Sequence, residues 1–261
     1  MVGSQARVSG LPEALSQAMQ ATGMWDETCP VKLERLSLIT VSYVDFAGAE
    51  RHDGELITMD VAAEFAARLF DELFARRFPI AKIRSVHHYN GSDDESMAQN
   101  NTSCFNHRPI EGTTTASLHS YGLAIDINPV QNPFVQFDEL KGTATIHPPS
   151  GWQNLNRHNR KSGMVEDVVP DLAAQQGFMV WGGKWTTPID YHHFQTLRGV
   201  AQLLVEMKVE EGRQLFLSCI KLRDALPAML TQEKTQSLIA SYKADPDSFI
   251  ATFEREMSAQ A

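Results

Sequence analysis

Ser117-Leu118-His119-Ser120-Tyr121-Gly122-Leu123-Ala124-Ile125-Asp126-Ile127-Asn128 decides how the chain is read, because it sets a histidine and a carboxylate seven residues apart around a glycine. Leu123, Ile125 and Ile127 alternate with Ala124, Asp126 and Asn128, the period of a short strand with one apolar face and Asp126 on the other. Seven residues is also two turns of helix, which would align His119 and Asp126 as well. Gly122 in front and Asn128-Pro129 behind favour a short strand entered by a turn, although the spacing alone does not choose. In either form the stretch is half of a metal site.

The other half lies in Trp181-Gly182-Gly183-Lys184-Trp185-Thr186-Thr187-Pro188-Ile189-Asp190-Tyr191-His192-His193-Phe194-Gln195, where an acid precedes a histidine by three. Two histidines and one carboxylate leave a fourth position open for water, the usual arrangement of catalytic rather than structural zinc. A further acid nearby is then a candidate base.

The pattern Ser-x-His-x-x-x-Gly-x-Ala-x-Asp followed by acid-x-x-His resembles the zinc D-alanyl-D-alanine carboxypeptidase family, which includes the vancomycin-resistance dipeptidases and carboxypeptidases and the phage L-alanyl-D-glutamate endopeptidases. The resemblance implies one Zn2+ per chain on His119, Asp126 and His193, with Asp190 as the catalytic base; in some members that base is Glu. His192 adjoins His193, but the family pattern places the ligand immediately before Phe194. The stretch Asp94 to Arg108 resembles the segment before the zinc motif in the endopeptidase-like branch, where an arginine binds substrate, here Arg108. Ser117 is read either as a substrate contact or as a turn hydroxyl.

The resemblance spans roughly residues 30–197 and implies an α+β fold, a small antiparallel sheet with flanking helices like the Hedgehog and DD-peptidase zinc core. The implied activity is hydrolysis of peptidoglycan stem peptides, as a D,D-carboxypeptidase or an L-alanyl-D-glutamate-type endopeptidase. A non-catalytic zinc-containing binding module on the same scaffold is the alternative, and Asp190 and Arg108 weigh against it, since such a module needs only the ligands. A nuclease or phosphatase centre usually wants paired metals and more carboxylates.

The formal charge of −9 and pI near 5.5 lack the clustered Lys and Arg of a nucleic-acid footprint. The one dense basic cluster, Arg157-His158-Asn159-Arg160-Lys161, reads as a solvated loop. No run of about 18 apolar residues could span a membrane. Cys29, Cys104 and Cys219 allow at most one internal disulfide, and Cys104 reads as a small buried hydrophobe in preference to a nucleophile beside His107. A cell-wall substrate implies a periplasmic or secreted protein, whereas the first residues show no secretory signal.

Along the chain, residues 1–29 form a helical lead with a helix from Ser9 to Met19; 30–197 form the peptidase core; 198–261 form a helical extension. Within the core the pattern predicts strands at Leu38–Phe46, around Leu56 and at Ile80–Tyr89, and a helix from Asp60 to about Arg77 with Phe65, Leu69 and Leu73 inward. Residues 91–116 read as a polar functional loop, and those from Pro129 to about Asp167 as an irregular segment in which His147 and His158 are spare ligand candidates. His87 and His88 read as structural or substrate-lining. The extension reads as two to four helices, a candidate surface for a protein partner and dispensable for metal binding, since both motifs close before it.

Overall fold

A computed structural model of the chain describes residues 6–138 and 140–259; the first five residues of the predicted lead and the last two of the predicted extension lie outside them. The chain begins with β1 (Arg7–Gly10) and α1 (Glu13–Ala21), then β2 (Leu36–Val44) and β3 (Glu50–Met59). Ser9 is therefore a strand residue, paired with Leu38, and the helix starts four residues later, behind Pro12. A proline can enter a helix only at its first turn, and here its carbonyl accepts from Leu15 and Ser16.

β1, β2 and β3 form one antiparallel sheet in that order. α2 (Ala63–Ala75) packs on it with Phe65, Leu69, Phe70 and Leu73 buried, after a single 3-10 turn from Asp60. Asp60 and Arg35 pair at 2.6 Å beneath that turn.

The predicted strand Ile80–Tyr89 is not one. Val86–Tyr89 is a 3-10 turn, and ahead of it side chains take several of the backbone groups: Asn128 Oδ1 accepts from Ala81 N, and Asn101 both accepts from Arg84 N and donates to Arg84 O. Only single bridges remain, Val44 to Pro79 and Ile83 to Thr102. The polar stretch 91–116 is likewise not a free loop. It holds α3 (Asp93–Ala98), capped by Ser92, and a buried run, Asn101 to Asn106, whose Phe105 N donates to Ile57 O of β3.

β4 (Ala124–Asp126) follows, then a hairpin of β5 (Phe134–Asp138) and β6 (Thr143–His147) where the sequence suggested irregular chain. After α4 (Val169–Gln175) come β7 (Val180–Trp181), β8 (Ile189–Asp190) and β9 (His193–Gln195). β4, β9 and β7 make a second antiparallel sheet; β6, β5 and β8 make a third. The fold is α+β, with small antiparallel sheets and many helices.

Among the described residues the remaining chain holds five helices rather than two to four: α5 (Arg198–Glu206), α6 (Val209–Lys221), α7 (Leu226–Met229), α8 (Gln232–Ala244) and α9 (Pro246–Ser258). Val200, Leu203, Leu204, Leu215 and Phe216 join the same apolar cluster as β2, β3 and α2. Phe216 meets Phe65 edge-on at 5.0 Å, and Arg35 donates to the carbonyls of Leu204 and Met207. Among the described residues no helix is long and apolar enough to cross a membrane.

Candidate metal centre

His119 sits on a 3-10 turn, Leu118–Tyr121, whose cap is Ser117: its Oγ accepts the His119 N–H at 3.3 Å. Gly122 ends the turn with φ +63°, and a Cβ there would lie 2.6 Å from Met59 N. Only glycine combines that left-handed backbone with so close an approach. The Gly122 carbonyl accepts from Met59 N at 3.2 Å, which ties the turn to β3.

Asp126 ends β4, the short strand and not the helix of the two readings. Its Cα partner in β9 is His193, and directly opposed residues present their side chains on one face. β4 thus carries Asp126 to His193, while Ile125 and Phe194, one residue earlier and later, are buried in the core. On its other edge Asp126 exchanges backbone bonds with Ser103.

Three potential ligand atoms converge. His119 Nε2 is 3.1 Å from Asp126 Oδ2, His193 Nδ1 is 2.9 Å from Asp126 Oδ1, and the two ring nitrogens are 3.2 Å apart. The outer ring nitrogens are engaged by acceptors: His119 Nδ1 donates to Cys104 O at 2.5 Å, and His193 Nε2 donates to Gln195 Oε1 at 2.8 Å. These bonds fix both tautomers and turn two lone pairs and a carboxylate toward each other. Without a cation or a proton among them that convergence is repulsive.

Ligands about 2.0–2.1 Å from a tetrahedral zinc lie roughly 3.3 Å apart, close to these separations, and two imidazoles with one carboxylate are ordinary zinc donors. The donor set fits zinc. Among the described residues no other group of three His, Cys, Asp or Glu side chains comes together in this way.

All three are nearly sealed from solvent, His119 and Asp126 at 2% exposure and His193 at 7%. Burial pushes the Asp126 carboxyl up, but the His119 and His192 charges and the imidazole hydrogen bonds hold it well below the usual range. Burial pushes His193 down, yet the bond to Asp126 and the charges of Asp126 and Asp190 raise it to about 9.

Asp190, in β8, is 8% exposed. Burial raises its pKa, and the His192 and His193 charges only partly offset this. Its Oδ1 is buried and makes no hydrogen bond, although it lies 3.0 Å from His192 Nε2. An acid so placed is ready to take a proton.

Arg108 donates from Nη2 to Asp93 Oδ2 at 2.6 Å, while its Nε is buried without a partner. Burial works against its charge, but Asp93, Asp126 and Asp190 hold it protonated. Its carbonyl and N–H bond Ser117 and Ser120 on the His119 turn. The cluster therefore unites His119, Asp126 and His193, with Asp190 and Arg108 within electrostatic reach.

Other sequence candidates lie elsewhere. The His87 and His88 rings lie 4.0 Å apart at a tilt, and His88 pairs with Glu55. His147 is 4.0 Å from Asp94, and His158 lies on a loop. Cys104 is buried and its thiol pKa is raised well above the ordinary value by desolvation; its contribution to the site is its carbonyl. All three cysteines are free.

Gln195, Trp185 and Asp93 had no site role in the sequence reading, and Arg157 read there as part of a solvated loop. Gln195 stands two residues after His193 on one strand, a spacing that puts both on one face, so it was findable. Trp185 packs its ring 5.6 Å from that of His193, and nothing in its spacing announced this. Arg157 is no solvated residue: it pairs with Glu166, and both are largely buried.

The family model for D-alanyl-D-alanine carboxypeptidase matches residues 111–196. That stretch holds His119, Asp126, Asp190 and His193; Arg108 falls just before it. Over about a third of its length the chain is therefore similar to a peptidase family, which supports a peptidase. No curated protein and no solved structure matches the chain.

Proposed function

We propose that the protein is a zinc peptidase that cuts peptide bonds in peptidoglycan stem peptides, as a D,D-carboxypeptidase or an L-alanyl-D-glutamate-type endopeptidase. The observation that carries this reading is the buried convergence of His119 Nε2, Asp126 and His193 Nδ1 beside a second buried acid, Asp190. Zinc held by those three would polarise the scissile carbonyl and acidify a water.

Asp190 takes the proton of the attacking water and returns it to the leaving amine; burial raises its pKa and makes it a stronger base than an exposed aspartate. Arg108 holds a substrate carboxylate or the charge that grows on the carbonyl oxygen, with its unpartnered Nε as the free donor. Asp93 keeps that fork in place. Ser117 serves by capping the His119 turn. A binding module on this scaffold would need the three ligands but would have no use for a buried, unbonded acid beside them. The substrate places the protein in the periplasm or outside the cell.

Digestion of purified sacculi followed by mass spectrometry of the released material tests the reading. Release of D-alanine marks the carboxypeptidase, and release of peptides beginning at D-glutamate marks the endopeptidase. Intact sacculi after incubation with zinc-replete protein would refute both.

A further inference from the structure

Asp190 and His193 belong to different sheets, β8 pairing with β5 and β9 with β4, and only Tyr191-His192 joins them. What fixes this two-residue link fixes the acid relative to the metal ligands. His192 Nδ1 donates to Asn132 O at 2.8 Å, and its Nε2 lies 3.0 Å from Asp190 Oδ1. Asn132 is itself locked: its Nδ2 donates to the carbonyls of Ile127, Asn128 and Gly163, and its Oδ1 accepts from Val165 N and from Arg157 Nη2.

Arg157 grips the link from both sides. Nη2 holds the Asn132 side chain at 2.8 Å, and Nη1 donates to Gln131 O at 2.6 Å and Asn154 O at 3.0 Å. Nε pairs with Glu166. The face of the guanidinium lies over the Tyr191 ring, 4.5 Å from its centroid. Three nitrogens and a flat face are all in use, a set of contacts that a lysine's single point charge cannot reproduce.

We propose that Arg157 is a positioning residue for Asp190, an inference that rests on the reading of Asp190 as the base of a peptidase. It clamps Gln131-Asn132, whose carbonyl orients His192, against Tyr191, which leads out of Asp190. Its partners include none of the three metal ligands. Its loss therefore acts on the chemical step and leaves metal and substrate binding in place.

The test is steady-state kinetics with zinc analysis of Arg157→Lys, Arg157→Gln, Tyr191→Leu and Asp190→Asn beside wild type, on a stem pentapeptide that contains both the L-alanyl-D-glutamate and D-alanyl-D-alanine bonds. Both Arg157 variants should lose roughly 10- to 100-fold in kcat, the size usual for groups that orient a metal site's working residues. KM and zinc per chain should stay within about twofold of wild type. Tyr191→Leu should cost kcat on its own and little more in the Arg157→Lys background, because the two act through one contact.

A clamp needed only for folding would lower thermal stability and leave the kcat of the folded fraction unchanged. Wild-type kcat in zinc-replete Arg157→Lys would therefore overturn the inference, as would loss of zinc together with activity. If Arg157→Gln does not fold, Arg157→Lys and Tyr191→Leu decide. An inactive Asp190→Asn beside fully active Arg157 variants removes this inference alone. A fully active Asp190→Asn, or a wild type that leaves the peptide intact, removes the reading beneath it and this inference with it.

Discussion

His193 Nδ1 faces Asp126 while Gln195 Oε1 accepts from Nε2, and the bond to Asp126 makes the centre pH-dependent. With its pKa raised to about 9, His193 in the metal-free protein carries a proton that zinc must displace. The raised value means that the His193–Asp126 pair stabilises the metal-free fold fully below about pH 6.5 and loses that contribution as pH rises through 9. Apparent zinc affinity, measured by competition with a chelator, should climb about tenfold per pH unit toward pH 9 and then level. A flat profile would show that no such proton is held. Gln195→Leu should weaken zinc binding by roughly 10- to 100-fold, and unchanged affinity would remove Gln195 from the site. The cluster of His119, Asp126 and His193, with Asp190 near it, was legible because the spacing is local, seven residues in one motif and three in the other. Arg157 was not, since its partners Gln131, Asn132, Glu166 and Tyr191 are dispersed along the chain and a basic cluster by itself looks like surface.

The His119 turn and β4 depend on a close backbone approach at Gly122. Gly122→Ala should lower stability by at least about 1–2 kcal/mol, the cost of a left-handed alanine, plus whatever the 2.6 Å contact with Met59 N adds. Chemical denaturation reads this directly, and wild-type stability would mean that the turn relaxes freely. The helix from Asp60 and the strand near Leu38 followed from apolar periodicity, which records burial. The strand expected at Ile80–Tyr89 failed because periodicity does not show where backbone groups find partners. Asn101 and Asn128 bond the backbone at Ala81 and Arg84 in place of a neighbouring strand, and Val86–Tyr89 closes into a 3-10 turn. The same asparagine-rich chemistry made 91–116 read as a polar loop throughout, although Asn101 to Asn106 is buried.

In the whole molecule the helical extension shares one apolar cluster with the sheet and α2. Leu203, Leu204 and Phe216 have no exposure, and Arg198 donates to Ala116 O just before the His119 turn. Truncation after Leu197 should therefore leave an insoluble or unfolded chain that fails to hold zinc, read by circular dichroism and metal analysis. A soluble, zinc-replete fragment would restore the expectation that both motifs suffice without it. That expectation followed the order of motifs along the chain, whereas packing across α2 and α6 is invisible to it. The central claim is that these layers serve to hold a buried acid beside a metal-activated water. Hydrolysis of the stem pentapeptide by zinc-reconstituted wild type and Asp190→Asn tests it most directly. The variant should keep one zinc per chain and lose roughly 10² to 10⁴ in kcat/KM, the usual contribution of a general acid and base; a zinc-replete Asp190→Asn with wild-type kcat/KM would contradict it.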